Sequence, residues 1–506
     1  MFARPSSSHA RTNSARDRKI INTSTASVTM LMIVRGDLHA SKSCRIPFDT
    51  ISPIISRSFC YNQTMYIALL GRQPEISLAE LAAVFGADCV NRISQQFAEV
   101  QTSQFDITTL GGTIKCAKVI TELPASRPDK ASLLAASRFI TQHYHAKWAH
   151  SPHKITLGLS AYNLAIAARD VQKTGLILKS SLKKSETSLR LIPNDQLALS
   201  TATAHNNKLG GSLHKVELLL VKTTDRRLII AESRGVQNIT AYTRRDRHRP
   251  KRDAFVGMLP PKLAQIMLNL ALGARSLTGQ RSCSNSVAGW NPAISSKSNA
   301  SGNAVRKTID LSERPDSNPL TEVDKRHLLI LDPFCGTGTV LQEALLAGYD
   351  VVGTDLSQKM VDYTTENLSW LQSTFTSPGR VIDIHQADAT THHWPDSQHL
   401  TTVVCETYLG QPFSASPAPQ KLAAVVSNCN HIITSFLTNI RPQLAPNTPL
   451  CIAVPAWYDT SGQATHLPLV KHLRQLDYHH LNRRTPLIYR RPDQVVAREL
   501  LILQTT

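Results

Sequence analysis

The 506-residue chain has no C-x-x-C pair, no internal repeat and no apolar run approaching the ~18 residues that cross a bilayer. Its nine cysteines, at 44, 60, 89, 116, 283, 335, 405, 429 and 451, are scattered and odd in number, so neither a zinc site nor a disulfide framework is indicated. No metal and no membrane are therefore expected as partners, and a reducing cytoplasm is the simplest setting. Acidic residues are also scarce: 37 Asp and Glu face 56 Lys and Arg, a formal net charge of +19. That balance points to an anionic partner, with a polyphosphate such as RNA the plainest chemistry, against the bland reading of solvated lysines. At 42% hydrophobic and 18% charged residues the composition is globular, and the length allows two or three domains.

The first 64 residues are rich in Ser and Arg and poor in acids, and no periodic element falls within them. Residues 1–64 are therefore read as a disordered or non-native extension ahead of Met65 rather than as a targeting segment. From Tyr66 to Leu70 a strand leads to Ser77-x-x-Glu80, which has capping-box spacing for a helix through Val84. Helices follow over Lys130–Trp148 and from about Asn163 into Leu182. Strands fall at Ile155–Ser160, Ser188–Ile192, Leu197–Ala204 and Val216–Val221, the last pairing with Leu228–Ala231 across Thr224-Asp225. Residues 65–243 thus form an N-terminal α+β module.

A basic run, Arg244 to Arg252, opens a linker and helix over 244–273. Pro250 bars a helix interior there. Arg244, Arg245, Arg247, Arg249, Lys251 and Arg252 are candidate phosphate contacts, with a solvated interdomain loop as the alternative. The helix Phe255–Leu272 carries Leu263, Ile266, Met267 and Leu270 on one core face. Residues 274–325, rich in Ser, Asn, Gly and Lys, read as a flexible insertion, leaving 326–506 as a further domain.

The most informative stretch is Leu331-Asp332-Pro333-Phe334-Cys335-Gly336-Thr337-Gly338-Thr339. An apolar strand from Leu328 runs into a turn of small residues and then a helix over Val340–Ala347, whose first N–H groups are free. A second strand, Asp350–Thr354, ends in Asp355, at the ~20-residue spacing where a carboxylate meets a ribose. Further strands end at Gln386-Ala387-Asp388-Ala389-Thr390 and at Glu406-Thr407-Tyr408-Leu409-Gly410. Ligands of an open parallel sheet bind at the carboxyl ends of its strands, which brings Asp332, Asp355, Asp388 and Glu406 to one rim. Taken singly, each is as readily a helix cap or turn residue. A dinucleotide is disfavoured because Leu341 stands where its third glycine belongs. S-adenosylmethionine fits better: it has no pyrophosphate, and a carboxylate such as Asp332 offsets its sulfonium and ammonium. A helix over Pro419–Ile440, a strand Leu450–Val454 and an antiparallel hairpin of Leu487–Arg490 and Val495–Ile502 around Arg491-Pro492-Asp493 then close the sheet.

These features resemble the class I S-adenosylmethionine-dependent methyltransferases, and within them the THUMP-domain tRNA guanine-N2 methyltransferases. The resemblance rests on DPFCGTGT (332–339), LQEALLAGYDVVGTDLS (341–357), RRDRHRP (244–250) with PPKLA (260–264), and YIALLGR (66–72) with LAEL (78–81). It covers roughly residues 65–273 and 326–503. It implies an α/β Rossmann-like methyltransferase domain, mostly parallel with an antiparallel C-terminal hairpin, preceded by an α+β THUMP-like RNA-binding module. By motif it assigns the cofactor to Asp332, Phe334, Cys335, Gly336, Thr337, Gly338, Thr339, Asp355, Leu356, Asp388 and Ala389. Of these, Asp332, Cys335 and Gly336 hold the methionine end, Asp355 the ribose hydroxyls and Asp388 the adenine amine. Phe255 and Pro260-Pro261 line the methionine end by the same resemblance.

One departure stands out. Members that methylate exocyclic amines usually carry Asp-Pro-Pro-Tyr-Gly after the fourth strand, whereas this chain has Glu406-Thr407-Tyr408-Leu409-Gly410. The carboxylate is one methylene longer, both prolines are gone and the aromatic sits one place early. Glu406, to accept an amine N–H, and Tyr408, to stack on the base, are the candidate catalytic residues. The expected activity is methylation of RNA, foremost at the exocyclic N2 amine of a guanosine in tRNA. The alternatives are an rRNA or DNA amino-methyltransferase of the same fold, or a non-catalytic RNA-binding protein that retains the cofactor fold.

Overall fold

Two kinds of apolar pattern build two sheets. The computed structural model describes residues 64–506 apart from 150, 185, 254–257, 275–327, 396, 414–416, 460 and 492–493. The expectations for the extension over 1–63, for the insertion beyond Ala274, for Phe255 and for Pro492-Asp493 lie outside the described residues.

The first sheet comprises β1 (Thr64–Leu70), β2 (Val90–Arg92), β3 (Phe97–Thr102), β4 (Thr113–Pro124), β5 (Ile155–Tyr162), β6 (Leu189–Leu191), β7 (Lys215–Lys222) and β8 (Arg227–Val236). Their order is β2-β3-β1-β4-β8-β7-β5-β6, with β5 parallel to β6 and β7 and the remaining pairs antiparallel. Helices α1 (Pro74–Phe85), α2 (Asp129–Trp148), α3 (Ala168–Lys183), α4 (Thr201–Asn206) and α5 (Ile239–Arg247) accompany it. The β7–β8 hairpin turns at Thr224-Asp225 as the pattern predicts.

Three local expectations change. Helix α1 begins at Pro74, so Ser77 and Glu80 lie inside it and form no capping box. Ser77 Oγ instead donates to the Gly112 carbonyl at 2.8 Å, and the Glu80 carboxylate accepts the N–H groups of Gly111 and Gly112 at 2.8 and 2.7 Å. Helix α3 starts five residues late because Asn163 takes a left-handed φ of 59°. Leu197–Ala204 is no strand: Ser200 accepts the Thr203 N–H and caps α4.

The second sheet comprises β9 (Leu329–Asp332), β10 (Asp350–Asp355), β11 (Val381–Gln386), β12 (Thr402–Glu406), β13 (Pro449–Tyr458), β14 (Ala464–Thr465), β15 (Tyr478–His480), β16 (Leu487–Tyr489) and β17 (Val496–Thr505). Its main order is β11-β10-β9-β12-β13-β17-β15; the first five strands are parallel, and β17 runs antiparallel to β13, β15 and β16. Helices α6 (Pro261–Ala274), α7 (Thr339–Leu346), α8 (Gln358–Thr374) and α9 (Pro419–Ile440) complete it.

The central strands are apolar on both faces because both faces are covered. Val404 packs with α6, α7 and α8, while Val403 and Cys405 pack with Ile433, Phe436 and Leu437 of α9. Helix α6 buries Leu263, Ile266, Met267 and Leu270, and that core also takes in Ile76 of α1, so α6 bridges the two sheets. The missing third glycine has a structural counterpart. Leu341 is fully buried against β10, and a Cβ on Gly353 would lie 2.5 Å from its Cδ1, so the strand rather than the helix supplies the close approach.

Candidate active site

The acidic residues do converge. Asp332, Asp355, Asp388 and Glu406, at or just past the carboxyl ends of β9, β10, β11 and β12, line one cavity of about 1180 Å³. Also on its wall are Phe334, Cys335, Gly336, Thr337, Thr339, Leu356, Ala389 and Tyr408. Gly338 does not line it; with φ 80° it turns the chain into α7 and its N–H donates to the Cys335 carbonyl.

The loop after β9 is fixed from outside itself. Cys335 N–H donates to the Thr354 carbonyl at 2.9 Å, Thr364 Oγ1 donates to the Gly336 carbonyl at 2.8 Å, and Asn367 Nδ2 donates to the Thr337 carbonyl at 2.9 Å. Gly336 has φ 53°, and a Cβ there would meet only the Phe334 carbonyl oxygen, at 3.9 Å, which leaves the loop open toward the cavity. Asp355 accepts the Gly336 N–H and the Ser357 N–H, both at 2.9 Å, so β10 and the loop share one carboxylate that still has lone pairs to offer. Asp388 accepts the Thr390 N–H and hydroxyl, which hold its carboxyl below the usual range. Leu356 is 68% exposed beside Asp355, an apolar surface suited to a flat ring.

Electrostatically the cavity is short of cations. Burial lifts the Asp332 carboxyl well above the carboxylate range, and the charges of Asp355 and Glu406 lift it further. Burial also raises Asp355, and it raises Glu406 against the pull of Arg498. Arg498, which composition and spacing gave no reason to single out, is 7% exposed on β17 and donates from Nε to Glu406 Oε1. Asn428, His431 and Ser435, one face of α9 at i, i+3 and i+7, form another unforeseen wall. A ligand carrying a sulfonium and an ammonium supplies the positive charge that Asp332 lacks, so this donor set fits S-adenosylmethionine.

The basic run behaves otherwise than expected. Arg245 is buried in α5 and pairs with Glu343 of α7 at 2.7 Å; Arg249 is 2% exposed and donates to Thr339 Oγ1 at 2.7 Å. Both side chains are buried away from any phosphate at the surface, and Arg245 neutralises the one acid of α7. Arg244 lies over the Phe375 ring, and Lys251 pairs with Glu366 at 3.2 Å; Arg247 and Arg252 are exposed. The described cysteines also include a surprise: Cys116, Cys335, Cys405, Cys429 and Cys451 are buried free thiols, but Cys89 is disulfide-bonded, a pairing that scattered spacing does not signal. Among the described residues no group of three metal-ligating side chains forms and no helix is long and apolar enough to cross a membrane.

Residues 331–418 match the family model described as a methyltransferase domain. A tRNA (guanine(10)-N2)-dimethyltransferase of Methanothermobacter thermautotrophicus is 32% identical over 130 residues, which are 26% of this chain and 34% of that one. The chain thus spans about a third of the length of the curated relative it matches. Among solved structures, TrmN from Thermus thermophilus aligns with 88% of this chain and 100% of its own at 13% identity and a TM-score of 0.43. Magnesium protoporphyrin IX methyltransferase (ChlM) from Synechocystis PCC 6803 with bound SAM aligns with 37% of this chain and 73% of its own, at 16% identity and a TM-score of 0.25. The match over residues 331–418 and the strand order of the second sheet make it a Rossmann-like methyltransferase domain of class I. Its cofactor is S-adenosylmethionine.

The ribose assignment has a direct check. Asp355→Ala should weaken S-adenosylmethionine binding in calorimetry by about 1–3 kcal/mol, the scale for leaving polar partners unmatched. Unchanged affinity with the fold intact would sink that role.

Proposed function

We propose that this protein methylates an exocyclic amine of RNA, foremost N2 of a guanosine in tRNA, with the first sheet and its helices acting as a THUMP-like RNA-binding module. The observation that carries the reading is the placement of Glu406 and Tyr408. Both line the cavity at and just past the end of β12, on the side of β9 away from β10 and β11, and this supports their serving the acceptor base rather than the cofactor. The partial relative's printed activity on a tRNA guanine N2 supports the same substrate class. So does the net charge of +19, together with exposed Arg252 next to Asp253, which lines the cavity.

When bound, S-adenosylmethionine supplies a methyl carbon made electrophilic by its sulfonium. The protein's part is position and proton acceptance. Arg498 engages one oxygen of Glu406 and fixes the carboxylate, leaving Oε2 to accept an amine N–H and to take up its proton. The prolines of the usual motif stiffen the backbone; here an ion pair from β17 holds the side chain instead. The ring of Tyr408, 41% exposed, offers a stacking face for the base. Tyr408→Ala should weaken productive RNA binding by about 1–3 kcal/mol, the contribution of one base stacked on an aromatic, read as the half-saturating RNA concentration in single-turnover methylation. A change confined to the rate at saturating RNA would remove the stacking role.

The test of the activity is direct. Full-length protein is incubated with S-adenosylmethionine and unmodified tRNA, rRNA or DNA, and the nucleosides are analysed by mass spectrometry. N2-methylated guanosine in tRNA is the expected product. A methylated base confined to rRNA or DNA would move the substrate. Cofactor binding without turnover on any of the three would favour a non-catalytic RNA-binding protein.

A further inference from the structure

Two buried ionisable groups of opposite kind meet the cavity wall with no opposite charge paired to them among the described residues: Asp332 lines the cavity, and Arg249 stands behind it against Thr339 and Met258. Asp332 is 2% exposed, and its carboxylate accepts only the Phe334 N–H, at 3.2 Å, among the described residues. Arg249 is also 2% exposed; Nη1 donates to Thr339 Oγ1 at 2.7 Å, Nη2 lies 3.1 Å from Met258 Sδ, and Nε has no partner. Thr339 and Met258 both line the cavity. No described carboxylate forms an ion pair with Arg249: Asp246 and Glu343 act on it from a distance, Glu343 is held by Arg245, and Arg252 repels it.

Burying a charge without a counter-charge is strongly unfavourable, and such groups are ordinarily paired or neutralised. A zwitterion in the cavity that meets Asp332 at one end and the Thr339 hydroxyl, backed by Arg249, at the other satisfies both at once. Its ammonium meets Asp332, and its carboxylate meets the Thr339 hydroxyl with the guanidinium behind it. Thr339 is built to relay the second contact, since a hydroxyl that accepts from Arg249 keeps its own proton to donate onward.

We propose that Arg249, acting with the Thr339 hydroxyl, recognises the carboxylate of the amino-acid end of S-adenosylmethionine; this rests on the cavity being the cofactor site. The buried arginine is then a specificity residue for the amino-acid end and takes no part in RNA contact. The test uses the full chain in calorimetry with two probes that differ only in that carboxylate, S-adenosylmethionine and its decarboxylated analogue. The wild type should prefer S-adenosylmethionine by roughly 10- to 100-fold, the scale of a charge-assisted hydrogen bond. In Arg249→Gln that preference should collapse through loss of S-adenosylmethionine affinity, with the analogue binding as before. Should Arg249→Gln fail to fold, Thr339→Val, which keeps the guanidinium, should reduce the same preference. Equal affinity of the wild type for both probes, or an equal loss for both in the variants, would overturn the inference. A wild type that binds neither probe would instead overturn the cofactor site itself.

Discussion

Glu406→Gln should lower single-turnover methylation by roughly 10²–10⁴-fold, the range for a positioned proton acceptor, while the affinity for S-adenosylmethionine hardly moves. The amide keeps the shape and can still meet Arg498, but it cannot take up the amine proton. The pH profile gives a second readout. Burial raises the Glu406 carboxyl above the ordinary carboxylate range although Arg498 pulls it back. The ionised form is the one that accepts a proton, so the wild-type rate should climb with pH through that raised value and level off above it. Glu406→Gln should lose this acid limb. Arg498→Met, which removes the group favouring ionisation, should move the limb to higher pH without abolishing it. Full activity in Glu406→Gln would show that the end of β12 merely closes the strand, and the proton acceptor would have to be sought elsewhere on the rim.

The legible part of this protein was its central sheet, and the reason is local. Strands β9, β10 and β12 are short, nearly continuous apolar runs that end in an acid, so sequence order alone placed Asp332, Asp355 and Glu406 on one rim. Helix α9 was readable end to end, yet its polar row Asn428, His431 and Ser435 carried no sign that it faces a cavity. What failed were side chains whose role depends on a distant partner. Arg245 meets Glu343 98 residues away, Arg249 meets Thr339 90 residues away, and Arg498 meets Glu406 across 92. A run of arginines looks like a phosphate-binding surface until the buried acid that consumes one of them is seen. Leu197–Ala204 failed for a different reason: the Ser200 hydroxyl accepts the Thr203 N–H and starts a helix partway through the expected strand.

Arg245→Met should destabilise the protein by about 3–5 kcal/mol, the cost of removing one partner of a buried ion pair. Arg245 on α5 and Glu343 on α7 have side chains 1% and 0% exposed and are joined twice, Nε to Oε1 at 2.7 Å and Nη2 to Oε2 at 3.1 Å. The guanidinium also stacks 4.6 Å from the centre of the Tyr242 ring. Without it Glu343 is a lone carboxylate inside a helix with no exposed face. Burial already raises the Glu343 carboxyl above its ordinary value, with Arg245 restraining the rise. In the variant the restraint is gone and the folded-state value climbs further. An acid whose folded pKa exceeds its unfolded one costs stability only above the unfolded value, so the deficit should grow as pH rises past the ordinary carboxylate range and shrink below it. Arg245→Met combined with Glu343→Leu should recover most of the loss, because no charge is then left buried. Urea melts of the two variants across pH measure all three effects. A fully stable Arg245→Met that bound RNA less tightly would return Arg245 to the phosphate-contacting surface that its neighbours in sequence suggested.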